Sequence, residues 1–234
     1  MKRQICSILL FIFCVTLQAQ LVTYPEGLKA NMPHNDDYTV RVRIPGGEWE
    51  DLFEYNVQVD MDAVQNASMV QFDMNGTVEV MVKKNNGTVR EVDIRPLSCN
   101  IQYRQNKNVI TFMLDKPQYL SVEFNGDRLH NLHLFANPLE TEVYKKAEKG
   151  IMYFGPGVHA PLDLPNNLIR VPGNTTVYLA PGAVLKAKLL VDGVENVRII
   201  GRGILAHPVR GIEVTNAKNV LIDGITVVNP NHYT

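Results

Sequence analysis

Cysteine is scarce, with three among 234 residues, and two of these, Cys6 and Cys14, fall within the first twenty positions. Neither sign of charge dominates. Lys and Arg number 23 against 24 Asp and Glu, a formal charge of −1, which gives no electrostatic basis for binding nucleic acid. Long apolar runs are missing too: residues 8–15 are apolar throughout, but eight residues cannot cross a bilayer and no stop-transfer segment follows. Between residues 38 and 136 there is no helical periodicity. With 45% hydrophobic and 20% charged residues the chain is not disordered, and it can form a packed core. Sixteen Gly, 13 Pro and many Asn indicate a turn-rich, β-type chain.

The N-terminus reads as a secretory signal peptide over residues 1–19. Lys2 and Arg3 give a basic start, residues 8–15 the apolar stretch, and Leu17, Gln18 and Ala19 a cleavage site. This predicts a secreted or periplasmic protein. Cleavage removes Cys6 and Cys14 and leaves Cys99 unpaired, so packing rather than a disulfide holds the fold together.

From about residue 38 the pattern has a period of two. Val40, Val42 and Ile44 alternate with Thr39, Arg41 and Arg43, and Phe53, Tyr55, Val57 and Val59 alternate with polar neighbours. The same holds for Val78, Val80 and Val82, for Val92 and Ile94, and for Ile101 and Tyr103. Asn75-Gly76, Asn86-Gly87 and Asn125-Gly126 read as hairpin turns, which need positive φ. About eight or nine strands in roughly a hundred residues predict an antiparallel β-sandwich over residues 20–137. Pro138, Glu140, Glu142, Lys145, Lys146, Glu148 and Lys149 then make a charged linker, residues 138–149, read as solvated with at most one or two helical turns.

Residues 150–234 repeat internally. Val177-Tyr-Leu-Ala-Pro-Gly-Ala-Val-Leu185 can be laid over Val197-Arg-Ile-Ile-Gly-Arg-Gly-Ile-Leu205 and over Val220-Leu-Ile-Asp-Gly-Ile-Thr-Val-Val228. In this alignment Val177, Val197 and Val220 stack in successive coils, and Pro181, Gly201 and Gly224 share a corner. Asn196 and Asn219 each precede a strand at a bend. A period slightly above twenty with two or three short strands is that of a right-handed parallel β-helix, whose coils bury apolar side chains only by stacking. The Leu-x-x-Leu-x-Leu pattern of the competing leucine-rich repeat is missing. The expected fold is therefore all-β: a sandwich followed by the first coils of a parallel β-helix.

These same segments, from Asn174 to Leu185, Asn196 to Leu205 and Asn219 to Pro230, resemble the opening coils of pectinase-type β-helix glycoside hydrolases. Those are the polygalacturonase family, family 28, and its dextranase and isopullulanase relatives in family 49. The stretch from Ser121 to Pro138 looks more like family 49, whose members carry a β-sandwich ahead of the β-helix. The resemblance implies a secreted polysaccharide-degrading hydrolase that needs no cofactor. Where polygalacturonases follow the Gly-x-Gly-x coil with Asp-Gly, this chain has Ala206, His207 and Pro208, which leaves glycans other than pectin open. The families' catalytic aspartate motifs are not matched, so no catalytic residue carries over, and the resemblance implies that the catalytic acid and base lie on coils after Thr234. The expectation is an N-terminal portion, inactive alone and with its last coil, around Ile222, Ile225 and Val227, prone to self-association.

Glycosidic hydrolysis needs a carboxylic acid and a second carboxylate about 5–9.5 Å apart. Glu213 and Asp223 are the carboxylates of the last two coils, although Asp223 suits a turn before Gly224 equally well. His232 and Tyr233 stand where relatives begin to line the substrate groove, so stacking on a sugar or plain strand packing are both open. His130 and His133 lack a third ligand for a metal. His34, Asn35, Asp36 and Asp37 read as a turn rather than a Ca²⁺ loop, and no metal site is expected. Asn66, Asn75, Asn86 and Asn174 match the glycosylation sequon but read mainly as turns, and Gly201-Arg-Gly203 lacks the third glycine and helix of a nucleotide loop. Two other classes remain: a polysaccharide lyase using Ca²⁺ and a basic residue, and a non-catalytic carbohydrate-binding or surface β-helix.

Overall fold

A computed structural model describes residues 19–24, 32–60, 62–161, 167–208 and 210–230. Three expectations lie outside the described residues: the signal peptide of residues 1–19 (Ala19 aside), the groove role of His232 and Tyr233, and the catalytic coils after Thr234. Among those described there is no α-helix, and none long and apolar enough to cross a membrane. A three-residue 3-10 turn, Leu97–Cys99, ends in the free thiol of Cys99.

The N-terminal strands are β1 (Gln20–Thr23), β2 (Tyr38–Arg43), β3 (Glu50–Asp51), β4 (Tyr55–Val59), β5 (Gln65–Asn75) and β6 (Val78–Lys84). They continue with β7 (Val92–Arg95), β8 (Tyr103–Asn106), β9 (Val109–Leu114), β10 (Gln118–Phe124) and β11 (Asp127–Pro138). Two sheets result, one in the order β1-β5-β11-β10-β7 with β4 also on β5, the other β3-β2-β6-β9-β8. Val40, Val42, Val80, Val82, Ile110 and Phe112 of one sheet meet Val70, Phe72, Val122, Phe124, Leu132 and Leu134 of the other. Their period of two is what places them on one face.

The sandwich departs from the antiparallel expectation at its centre, where β5 and β11 pair in parallel from Ser68 and Leu132 to Met74 and Pro138. The chain crosses to the other sheet for β6, returns in β7, crosses again for β8 and β9 and comes back through β10, whose hairpin with β11 lays β11 parallel to β5. Of the three Asn-Gly turns, Asn125-Gly126, with φ of 58° and 74°, does close a hairpin, between β10 and β11. Asn75-Gly76 and Asn86-Gly87 instead carry the chain from one sheet to the other; Gly76 and Gly87 have positive φ, but the strands they join do not pair. A tight turn sets local backbone, not partner choice.

After residue 150 come β12 (Ile151–Phe154), β13 (Gly157–His159), β14 (Leu168–Arg170), β15 (Thr175–Leu179), β16 (Ala183–Leu185) and β17 (Lys188–Asp192). Then follow β18 (Glu195–Gly201), β19 (Ile204–Ala206), β20 (Ile212–Thr215), β21 (Lys218–Asp223) and β22 (Thr226–Val228). They stack as three parallel sheets, β12-β15-β18-β21, β13-β16-β19-β22 and β14-β17-β20, a β-helix of about three turns. Val177, Leu179, Leu185, Leu189, Val191, Val197, Ile199 and Leu205 fill its interior. Three asparagines in the left-handed region, Asn174, Asn196 and Asn219, form a ladder at one bend, Asn219 donating to Asn196 at 2.7 Å and Asn196 to Asn174 at 3.0 Å.

The register corrects the repeat alignment. Val177 lies on Ile199, not on Val197, while Val197 does lie on Val220. Leu179 faces Gly201, whereas Val184 faces Ile204, so the corner between β18 and β19 is two residues shorter than that between β15 and β16. A two-residue slip keeps every side chain on its face, so hydrophobic pattern alone could not reveal it. Between β21 and β22 the corner is one residue shorter again, so Ile200 faces Asp223 as aligned but Leu205 faces Val227 rather than Val228. Pro181 is therefore not the counterpart of Gly201.

That short corner needs glycine. Gly201 has φ of 127°, and a Cβ there would stand 2.0 Å from the Leu179 carbonyl oxygen, which already accepts N–H bonds from Arg202 and Gly203 at 3.0 Å each. Gly201→Ala should cost about 3 kcal/mol or more through overlap and strained φ. Gly126→Ala, with nothing within 4 Å of its added Cβ, should cost about 1–2 kcal/mol from φ alone. Thermal unfolding followed by circular dichroism measures both; equal losses would contradict the corner geometry.

Candidate functional site

The two halves meet across β5. Every residue from Ala67 to Met74 on that strand is buried, because Val70, Phe72 and Met74 face the sandwich core while Ala67, Met69, Gln71 and Asp73 face the β-helix. Phe53, Tyr55, Val57, Ala67 and Met69 pack there against Val184, Ile204, Ala206 and Val228. Beside this apolar contact lies Arg202, 5% exposed. Its Nε donates to Asp73 at 2.7 Å, its Nη1 to the Gly201 carbonyl at 3.1 Å and its Nη2 to the Pro138 carbonyl at 2.6 Å. Its own carbonyl accepts from Gln71 Nε2 at 3.1 Å. Gly224, one coil on, makes room: a Cβ there would sit 2.1 Å from Arg202 Nη1.

Around this guanidinium stand Tyr24, Glu140 and Tyr178. Burial, reinforced by Asp73, pushes the Tyr24 phenol well up. Burial also raises the Glu140 carboxyl, opposed by Arg202 and by the Tyr178 hydroxyl that donates to it at 3.1 Å. The linker is thus held at several points and contains no helical turn. Arg198 donates to both oxygens of Glu142, at 2.8 and 2.7 Å, and holds that carboxyl down to about 2, while Tyr144 packs edge-on against Tyr178.

Next to this junction a cleft opens between the outer face of β10 and β11 and the β-helix strand β22. It comprises adjoining depressions of about 250 and 190 Å³ that share Phe135, Thr226 and Val227. Tyr119, 59% exposed, stands edge-on to Phe135 with centroids 5.6 Å apart, and His133 lies 6.4 Å from the same ring. Asn137, Gln58 and Asn229 supply amides, with Asn229 Oδ1 accepting from the Gln58 backbone at 2.7 Å. Burial lowers the His133 pKa below its ordinary value of 6.5, so the ring is neutral at neutral pH. The cleft therefore offers aromatic faces and amides without net charge, a lining suited to sugar C–H faces and hydroxyls.

The structure does not bring Glu213 and Asp223 together. Glu213 is on β20, where Lys188 on the preceding coil pairs with it and lowers its pKa; Asp223 ends β21, exposed, in a different sheet. His130 bonds Asp127 at 3.0 Å, away from His133, which faces the cleft. Asn35 Oδ1 accepts from the Asp37 backbone at 2.9 Å, the turn expected of that stretch. Among the described residues no three His, Cys, Asp or Glu side chains are grouped to hold a metal ion. Sequence reasoning missed Asp73, Arg202, Glu140, Tyr119, Phe135 and Asn137. The available signal was polar Gln71 and Asp73 alternating with Val70, Phe72 and Met74, which marks a strand buried on both faces.

No protein-family model matches this sequence, and no curated protein matches it. Among solved structures, Dex49A from Penicillium minioluteum superposes with a TM-score of 0.62 at 20% identity, over 86% of this chain and 54% of that one. This chain thus spans about half the length of that protein. At this identity the likeness is one of fold alone, a β-sandwich ahead of a parallel β-helix.

Two outcomes follow from the junction. Truncating either partner of a buried ion pair leaves a lone buried charge, so Asp73→Ala or Arg202→Ala should cost about 3–5 kcal/mol, and Asp73→Leu with Arg202→Met should recover most of it; denaturant titration of the four proteins measures this. For His133 the folded pKa is depressed, so its neutral form is favoured by folding. Its contribution is complete above about pH 6.5 and is lost as pH falls through the folded pKa. His133→Gln should accordingly flatten the acid limb of a stability–pH profile between about pH 7 and 5.

Proposed function

We propose that this protein is an exported polysaccharide-degrading glycoside hydrolase, with residues 1–19 directing export, and that the junction cleft contributes to glycan binding. The observation that carries the reading is the uncharged, aromatic- and amide-lined cleft placed where a sandwich and a β-helix of glycoside-hydrolase type meet. Tyr119 and Phe135 would stack on sugar rings, and Asn137 and Gln58 would bond hydroxyls. Hydrolysis requires an acid and a second carboxylate about 5–9.5 Å apart. Glu213 and Asp223 lie on different sheets, so in this proposal they are not that pair, and the catalytic carboxylates belong to coils after Thr234.

Affinity electrophoresis in gels containing dextran, pullulan or β-glucan tests the binding. At least one neutral glycan should retard the protein, and Tyr119→Ala with Phe135→Ala should weaken that retardation about tenfold, roughly the worth of one aromatic–sugar contact. No retardation by any neutral glycan, or retardation untouched by the double substitution, would refute the role of the cleft. Because the proposed acid and base lie after Thr234, residues 1–234 should bind the retained glycan without releasing reducing ends; release by this chain would overturn that placement.

A further inference from the structure

Strand β1 joins the sandwich where the proposed leader ends. Gln20, its first residue, pairs with Asn75, Leu21 with Met74, Val22 with Asp73 and Thr23 with Phe72. Leu21 packs against the sandwich core. Tyr24, the next residue after the strand, is 7% exposed and stands beside Asp73 at the junction. Yet β1 lies at the edge of its sheet, paired on one side only, and a short edge strand at a chain terminus frays readily. Loss of Gln20–Thr23 would bare β5 from Phe72 to Asn75.

Gln20 itself is exposed, and among the described residues no hydrogen bond holds its side chain. Its carboxamide is therefore free to turn back on its own α-nitrogen. Cleavage after Ala19 makes that nitrogen a terminal amine, whose ordinary pKa of about 7.7–8.0 leaves part of it unprotonated and nucleophilic near neutral pH. Gln20 borders a depression of about 620 Å³ with Leu21, Val22, Ile44 and Val143, an apolar lining that offers a terminal ammonium no partner. The same depression holds Asp73 and Glu140, each already engaged, Asp73 by Arg202 and Glu140 by the Tyr178 hydroxyl.

We propose that the exported protein carries a pyroglutamate at position 20, a modification that rests on the export reading above. The α-nitrogen of Gln20 attacks its own Cδ, and the new N–C bond closes a five-membered lactam. The Cδ–Nε2 bond breaks, and the departing nitrogen takes the proton that the α-nitrogen gives up and leaves as ammonia. No oxidant, reductant or second substrate enters the step. The lactam nitrogen keeps one N–H, as a backbone amide has, and the ring closes within one residue. Strand β1 thus keeps its register on β5 while the terminal charge is removed. Aminopeptidases engage a free α-amine, which the lactam lacks, so the modification guards the edge strand that leads into Tyr24 and the junction.

The test expresses residues 1–234 in a secreting host, holds the exported protein at neutral pH until its mass is constant, and reads the N-terminal peptide by tandem mass spectrometry. That peptide should begin at position 20 and be lighter by one ammonia than the same peptide with free glutamine. It should resist stepwise N-terminal degradation until pyroglutamyl peptidase exposes Leu21. A chain beginning at Gln20 with a free amine would overturn the lactam alone. A chain that keeps residues 1–19 would refute the export reading, and one that begins at another residue would refute the cleavage site; either result takes the proposal with it. Gln20→Ala, which cannot cyclise, should lose residues 20–23 to an aminopeptidase while the unsubstituted protein stays whole. Equal trimming or equal resistance of the two would overturn the protective role.

Discussion

The guanidinium of Arg202 fixes how the two halves of this protein sit together. It leaves the β-helix at a tight corner, between Gly201 and Gly203 where no Cβ fits, and crosses to Asp73, on a strand whose opposite face lies in the sandwich core. A third bond, to the Pro138 carbonyl, ties down the start of the linker. Burying two charges costs about as much as their attraction returns. The pair therefore specifies position more than it adds net stability. Net stabilisation comes from the apolar contact beside it, where Met69, Tyr55 and Val57 meet Val184, Ile204 and Val228.

Several features follow from that constraint. Strand β5 is buried on both faces, so it carries Gln71 and Asp73 where a solvent-facing strand would carry any polar residue. Gly224 is required one coil beyond Gly201 because the Arg202 side chain occupies the space a Cβ would need. Docking in this register brings β22 alongside Phe135 and Asn137, and that is what creates the neutral cleft.

Much of the fold was legible because the periods are clean. Alternation in β2 and β6 and the twenty-odd-residue repeat marked a sandwich followed by a β-helix. Register was less legible: moving Val177 from Val197 to Ile199 shifts the strand by two residues and exposes nothing. Partner choice was also hidden, since Asn75-Gly76 has the chemistry of a hairpin turn yet leads into the opposite sheet. The site was the least legible part. Arg202 was weighed only as the middle of a Gly-x-Gly pair, and its partner lies 129 positions earlier, a separation no local pattern encodes. Tyr119 and Phe135 each look like ordinary strand residues until β22 is placed beside them.

The central claim, that sandwich and β-helix form one cooperative unit joined through Asp73 and Arg202, is tested most directly by native-state hydrogen exchange read by mass spectrometry. The account predicts that the amides of residues 67–74 and 197–205 share one opening free energy, which falls for both when Asp73 is replaced by Ala. Exchange of the β-helix amides at a markedly lower free energy than those of β5, unchanged by Asp73→Ala, would contradict it.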